Sequence, residues 1–184
     1  MQLITTRLLI REFHQSDLAA LSAYESNPEM HRFDNGIPNI ERAQSYLNWV
    51  IRKAGETPRT HYRMAITVPP QDIVIGRITI FSQNADIREW EMGWAVRVED
   101  WRKGYASEAA GRMLTFAFEE LGAHRVVAFC HADNTGSVKV MEKIGMKQEG
   151  RLRETRWFNE CWNNEFVYAI LDSEFSEGKG SDTV

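Results

Sequence analysis

Cysteine is scarce in this chain of 184 residues: Cys130 and Cys161 are the two present, far apart, with no second pair to complete a metal site. That excludes a disulfide-stapled scaffold and a cysteine-rich zinc module, and it suits a reducing compartment. No apolar run approaches the ~20 residues needed to span a bilayer. The opening stretch MQLITTRLLIREF alternates charge with hydrophobe and lacks the apolar centre of a secretory leader. A soluble, cytoplasmic protein without membrane contact is the expectation. Positive charge is not in surplus: 22 Lys and Arg stand against 26 Asp and Glu, a formal net charge of −4. That balance argues against a nucleic-acid partner. The nucleotide-site patterns GxxxxGK[ST] and GxGxxG are missing as well.

What is there is enough apolar material, 43 % of residues, for one substantial core. We expect a single domain over residues 1–175 and a disordered tail over 176–184, SEGKGSDTV being short of anything to bury. Leu3 to Phe13 reads as a first strand, and Asp17 as the N-cap of a short helix, DLAALSAYE. Glu41 to Lys53 has helical apolar spacing. Tyr62–Val68 and Ile73–Ser82 flank a PPQD turn and read as a hairpin, with a further strand over Arg88–Val98. Gly104 to Leu121 is the strongest helix, its stripe carried by Ala106, Ala110, Met113, Leu114, Ala117 and Leu121 and stopped at Gly122. His124–Cys130 is a buried strand, Thr135–Ile144 a helix stopped at Gly145, and Met146–Arg153 and Glu165–Leu171 the last strands. The class is α+β with a mixed sheet, because a strand–helix–strand crossover in the second half requires parallel neighbours.

The stretch WRKGYA, residues 101–106, sits at the mouth of the strongest helix. A helix start carries backbone N–H groups without helical partners and the positive end of the dipole, so an anion fits there. Gly104 allows close approach, small Ala106 and Ser107 continue the opening, and Arg97, Arg102 and Lys103 add positive charge. Those residues alone fit both a pyrophosphate cradle and an ordinary strand-to-helix turn with solvated cations.

The order EMGWAVRVEDWRKGYASEAA, FAFEELGAHRVVAF, ADNTGSVKVMEKIGM resembles the GNAT acetyltransferase superfamily. More narrowly it resembles the branch of Rim-type ribosomal-protein N-terminal acetyltransferases, which TTRLLIREFHQSDLAAL and GRLRETRWFNECWNNEFVYAIL also match. The resemblance covers residues 3 to 175. It implies acetyl-CoA as cosubstrate, no metal, an amine acceptor and a possible homodimer. It also implies that backbone groups of Trp94 and Val96 bond the acyl-pantetheine arm. The amides of Arg102, Lys103, Gly104, Tyr105 and Ala106 then hold the pyrophosphate, and Asn134 stands beside the arm. Trp101 departs from the Gln or Arg with which relatives often begin this loop. Asn134 is equally suited to capping the helix that follows it.

Acetyl transfer to an amine needs a neutral amine, donors for the developing oxyanion and a proton for the departing thiolate. Glu91 is the candidate base, with Glu89 as fallback on the same strand face; a charged residue on a solvated sheet face is the alternative for both. Many relatives carry a tyrosine seven residues after the asparagine; Met141 stands there and cannot donate. The Rim-type resemblance points instead to Ser137, three after the asparagine, as proton donor, while a first-turn helix residue is its ordinary role. Neither cysteine matches a nucleophile position, so transfer is expected to be direct, with Cys130 in the sheet core. His31, Arg32, Phe33 and Asp34 are expected in the acceptor wall, and Asp34 or Glu160 could attract an ammonium group. Trp157, Phe158 and Trp162 form a second aromatic group, and most of the six tryptophans are expected to pack at the core or its edge. The reading that follows is an N-acetyltransferase acting on an α-amine of a protein or peptide. A small amine (polyamine, amino acid or aminoglycoside) and a non-catalytic acyl-CoA sensor remain open at this point.

Overall fold

The computed structural model describes residues 1–33 and 39–180, with side chains as far as Ser176. Its strands are β1 (Gln2–Ile4), β2 (Leu9–Glu12), β3 (His61–Val68), β4 (Gln71–Asn84), β5 (Glu89–Val96), β6 (Arg125–His131), β7 (Lys147–Phe158) and β8 (Cys161–Leu171). Its helices are α1 (Leu18–Glu25), α2 (Ile40–Ala54), α3 (Tyr105–Glu119), α4 (Thr135–Lys143) and α5 (Asp172–Gly180). One sheet runs β1-β2-β3-β4-β5-β6-β8-β7. Its neighbours are antiparallel except β5 and β6, which are parallel and joined through α3. The mixed α+β sheet expected from the sequence is the sheet observed.

Strand alternation divides the apolar residues between two faces. Met64 and Ile66 of β3, Ile78 and Ile80 of β4, and Met92 and Val96 of β5 form the larger core with Ala109, Ala110, Met113, Leu114 and Ala117 of α3 and Met141 of α4. On the opposite face Ala65 and Val74 meet Leu21 and Tyr24 of α1 and Ala43, Leu47 and Val50 of α2. Burying two full layers of this kind, at ~25 cal/mol per Å² of apolar surface, is what holds the sheet between its helices. The glycine stops work as read: Gly122 and Gly145 follow α3 and α4 with φ of 63° and 84°.

Three expectations need correction. Leu3–Phe13 is two strands, β1 and β2, because the Thr5 hydroxyl accepts the Leu8 N–H at 2.9 Å and turns the chain back on itself. Asp17 makes no side-chain cap to α1. Its carboxylate instead accepts from the His14 N–H (2.8 Å) and pairs with buried Arg11 at 2.8 Å. The expected tail after Phe175 begins as helix, with α5 running to Gly180; residues 181–184 lie outside the described ones.

Candidate active site

The site is made by two strands that start together and then diverge. β5 and β6 pair only at Glu89–Arg125, Trp90–Val126 and Glu91–Val127. Below that opening Arg125 holds them: its Nε donates to Glu89 at 2.8 Å and its Nη1 to Glu149 of β7 at 2.6 Å. Above it β5 continues to Val96 and β6 to His131 without further pairing.

Ladder parity decides which β5 backbone groups face the opening. Arg97 N–H bonds Ile75 of β4, and Arg88 C=O receives His124 N–H beside β6. Hydrogen-bonded positions alternate along an antiparallel strand, so odd-numbered β5 residues address β4. Trp94 and Val96 therefore turn their backbone polar groups toward the opening. The Val96 carbonyl is already engaged there, accepting from the Trp101 indole N–H.

A cavity of about 120 Å³ fills the opening, lined by Gly93 and Trp94 from one strand and Phe129, Cys130 and His131 from the other. Asn134 and Ser137 of the α4 start, Phe33 and Arg156 complete its wall. Trp94, Asn134 and Ser137, singled out separately in the sequence, thus meet at one place. Asn134 also caps α4, its Oδ1 accepting the Ser137 N–H at 3.0 Å. Met141 is fully buried in the core. Burial, and then Glu165, push the Cys130 thiol up to about 11, which keeps it protonated and unfit as a nucleophile.

The other end of the site is the α3 mouth. Arg102 and Gly104 both have left-handed backbones, with φ of 62° and 82°, and Gly104 forms the N-cap of α3. Glycine takes that conformation without cost, while Arg102 is held in it by the turn. Lys103 is bound to Asp100 at 2.7 Å, and Arg97 binds the same carboxylate. Burial alone would raise the Asp100 carboxyl, but these two cations hold it below its ordinary range. So two of the three cations read as free charge belong to a local network, and exposed Arg102 stays beside the mouth. The fold adds Arg7, which donates to the Lys103 carbonyl at 2.9 Å and lies 4.8 Å from the Tyr105 ring centre. Tyr105 and Ala106 open α3 itself. A separate open groove of about 560 Å³ beside Tyr105 is lined by none of the β5 or β6 residues.

Glu91 lies on the opposite sheet face from Trp94, half-buried, in register with Phe81. Burial, then Glu165 and Glu89, raise its carboxyl, with Arg63 pulling the other way. Glu89 is committed to Arg125, which removes it as a free base. His131, not anticipated as part of the site, is fixed at both nitrogens. Its Nδ1 accepts the Asp133 N–H (3.1 Å), so Nε2–H donates to Asn163 Oδ1 at 2.8 Å. Its ring packs on Phe33, 5.1 Å between centres, and so ties that segment to β6. A polar residue closing the apolar run HRVVAFC, three before Asn134, was the available signal.

Of the proposed acceptor wall, His31 binds the Glu25 carbonyl, and Asp34 lies outside the described residues. Glu160 is in the tight β7–β8 turn, where Asn159 and Glu160 have φ of 51° and 59°. Trp101, Trp157 and Trp162 are exposed at 41–58 %, so half of the tryptophans are not core. Among the described residues no helix is long and apolar enough to cross a membrane, and no group of three or more His, Cys, Asp or Glu could hold a metal.

Residues 7–147 match the family described as "Acetyltransferase (GNAT) domain". The chain belongs to the GNAT acetyltransferase family. It is 32 % identical over 96 % of its length, and all of the relative's, to the uncharacterized N-acetyltransferase YnaD of Bacillus subtilis. A GNAT-family acetyltransferase structure from Bacillus anthracis superposes with a TM-score of 0.83 at 30 % identity, covering 94 % of this chain and 99 % of that one. The fold alone is shared with spermidine N-acetyltransferase from Vibrio cholerae, solved with CoA and spermine, at TM-score 0.79 and 20 % identity over 94 % and 99 % of the two chains. This GNAT chain is an acetyl-CoA-dependent N-acetyltransferase.

Proposed function

We propose that the acceptor is the α-amino group of a peptide or protein, as in the Rim-type branch, and that Ser137 in the cavity wall and Glu91 on the β5 face opposite Trp94 serve the transfer. The observation that carries this reading is a raised Glu91 carboxyl placed at the last paired position of β5, immediately before the two strands diverge. An α-amine, with a pKa of about 8, loses its proton to a carboxylate more readily than an aliphatic amine of pKa about 10.

The residues present suit acetyl-CoA. Unpaired β5 backbone at Trp94 lines the cavity, and the N–H of Val96 turns toward the gap between the strands, where they can hold the arm and an acyl oxygen. The Val96 carbonyl is excluded from that role by Trp101. The amides of Arg102, Lys103, Gly104, Tyr105 and Ala106, with the α3 dipole behind them, suit the pyrophosphate. Asn134, its carbonyl oxygen occupied by the cap, offers its amide N–H to the arm. When bound, acetyl-CoA supplies the activated acetyl group. Glu91 then accepts the ammonium proton, and Ser137 Oγ holds a proton where a departing thiolate is neutralised.

The test is to supply a peptide carrying both an α-amine and a lysine and to locate the acetyl group by fragment mass. Acetylation at the α-nitrogen supports the reading. Modification at lysine alone, or of spermidine in preference to any peptide, contradicts it.

A further inference from the structure

We infer that the acceptor carries an anionic group, received by Arg63, close to the amine that is acetylated. This rests on the N-acetyltransferase reading and names the acceptor class within it.

Arg63 of β3 lies on the Glu91 face of the sheet, in a row with Thr79 and with Gly93 at the cavity. Its guanidinium is 4.9 Å from the Trp49 ring centre and 5.9 Å from that of Tyr46. Both rings belong to α2, which covers this face. The Nε–H of Arg63 and the hydroxyl of Tyr46 are buried and find no partner but each other. Buried polar groups are ordinarily satisfied, and a guanidinium with five N–H donors that meets only one phenol oxygen leaves donors for a polar ligand.

Charge decides which ligand. Neighbouring sheet guanidinium groups are compensated: Arg77 by buried Glu25 and Arg11 by Asp17 on this face, and Arg156 at the cavity by Glu165. Arg63 has no ion-paired carboxylate among the described residues, and the charge it feels through space is that of Glu91. Once Glu91 has taken the amine's proton, the uncompensated charge facing the acceptor is Arg63's. A guanidinium with free N–H groups against aromatic faces suits a carboxylate and repels a second ammonium, which disfavours polyamines. Arg63 and Gly93 stand two strands apart, about 10 Å between backbones. An amine and a carboxylate on one residue, or on adjacent residues of a peptide, fit that span.

The experiment titrates the full chain, saturated with CoA, by calorimetry with matched pairs. These are Ser-Asp-Ala-Ala-amide against Ser-Asn-Ala-Ala-amide, alanine against alanine amide, and spermidine. Turnover of each is measured with acetyl-CoA in parallel. We expect the acidic member of one pair to bind about tenfold or more tighter; the pair that discriminates tells peptide from free amino acid. In Arg63→Met that preference collapses, and Arg63→Lys restores some of it while the neutral member changes little. Equal binding of acidic and neutral members, tightest binding of spermidine, or a preference unchanged in Arg63→Met overturns the inference. Should Arg63→Met not fold, the wild-type pairs and Arg63→Lys decide. Discrimination without turnover of any amine would defeat the enzymatic reading and leave the Arg63 site standing, whereas turnover without discrimination would do the reverse.

Discussion

The indole N–H of Trp101 donates to the backbone carbonyl of Val96, linking the turn before α3 to the last residue of β5. One side chain thereby removes a strand acceptor from the opening and fixes the turn whose amides face the α3 mouth. Trp101→Phe keeps the ring and loses the donor. Its expected effect is an acetyl-CoA KM raised about fivefold, equivalent to ~1 kcal/mol for one hydrogen bond, with kcat for a saturating acceptor little changed. Steady-state kinetics with varied acetyl-CoA check this.

Glu91→Gln removes the proposed base without changing its size. We expect kcat/KM for the acceptor to fall by roughly 10²–10³, with acetyl-CoA affinity retained by calorimetry. The stability effect runs the other way. A carboxyl raised in the folded state binds more protons folded than unfolded, so wild-type stability falls as pH rises from the ordinary glutamate range through the raised value. Glu91→Gln should therefore be more stable than wild type on the alkaline side, with the gain vanishing in acid. Thermal melts across pH read this directly.

Glu108 ties the N-terminal turn to the α3 mouth. It accepts from Thr5 Oγ1 at 2.6 Å, from the Arg7 N–H at 2.9 Å and from Arg7 Nε at 2.7 Å. Burial would raise its carboxyl, but these bonds hold it below its ordinary value. A depressed carboxyl stabilises above its unfolded pKa, about 4.3, and that stability is lost as pH falls through the folded value. Glu108→Gln should cost about 1 kcal/mol at pH 7, screening included, and flatten the acid limb of a denaturant series.

Gly104→Ala tests the turn by backbone alone. An added Cβ would meet Arg7 Nη2 at an ordinary 3.4 Å, so the penalty comes from φ of 82°. The expected loss is roughly 1–2 kcal/mol. It should be accompanied by weaker CoA binding, because relaxing the left-handed residue turns the first α3 amides. Unchanged CoA affinity would show that the turn does not serve the cofactor.

Legibility in the sequence followed the range of the forces involved. α3 and its Gly122 stop, the β3–β4 hairpin and the parallel crossover were readable because they rest on local periodicity and glycine chemistry. Trp94, Asn134 and Ser137, picked out by the family resemblance, line one cavity. What escaped was set by distant partners. Thr5 turns the first strand through a hydroxyl bond that apolar spacing does not register. Asp17 looks like a cap until Arg11 claims it. Glu89 and Glu91 share a strand face, yet only the structure separates a carboxylate committed to Arg125 from one that is half-buried and raised. The β7–β8 turn, Asn159-Glu160, lacks the glycine that usually betrays two positive φ angles in succession, so both strands read short.

The central claim is acetyl transfer to an amine where β5 and β6 diverge. Thiol release from acetyl-CoA, followed across N-terminal peptides, amino acids, polyamines and aminoglycosides with wild type and Glu91→Gln in parallel, tests it most directly. The account predicts turnover concentrated in α-amines and largely lost in the variant while acetyl-CoA still binds. Silence with every amine despite tight acetyl-CoA binding, or equal turnover by the variant, would contradict it.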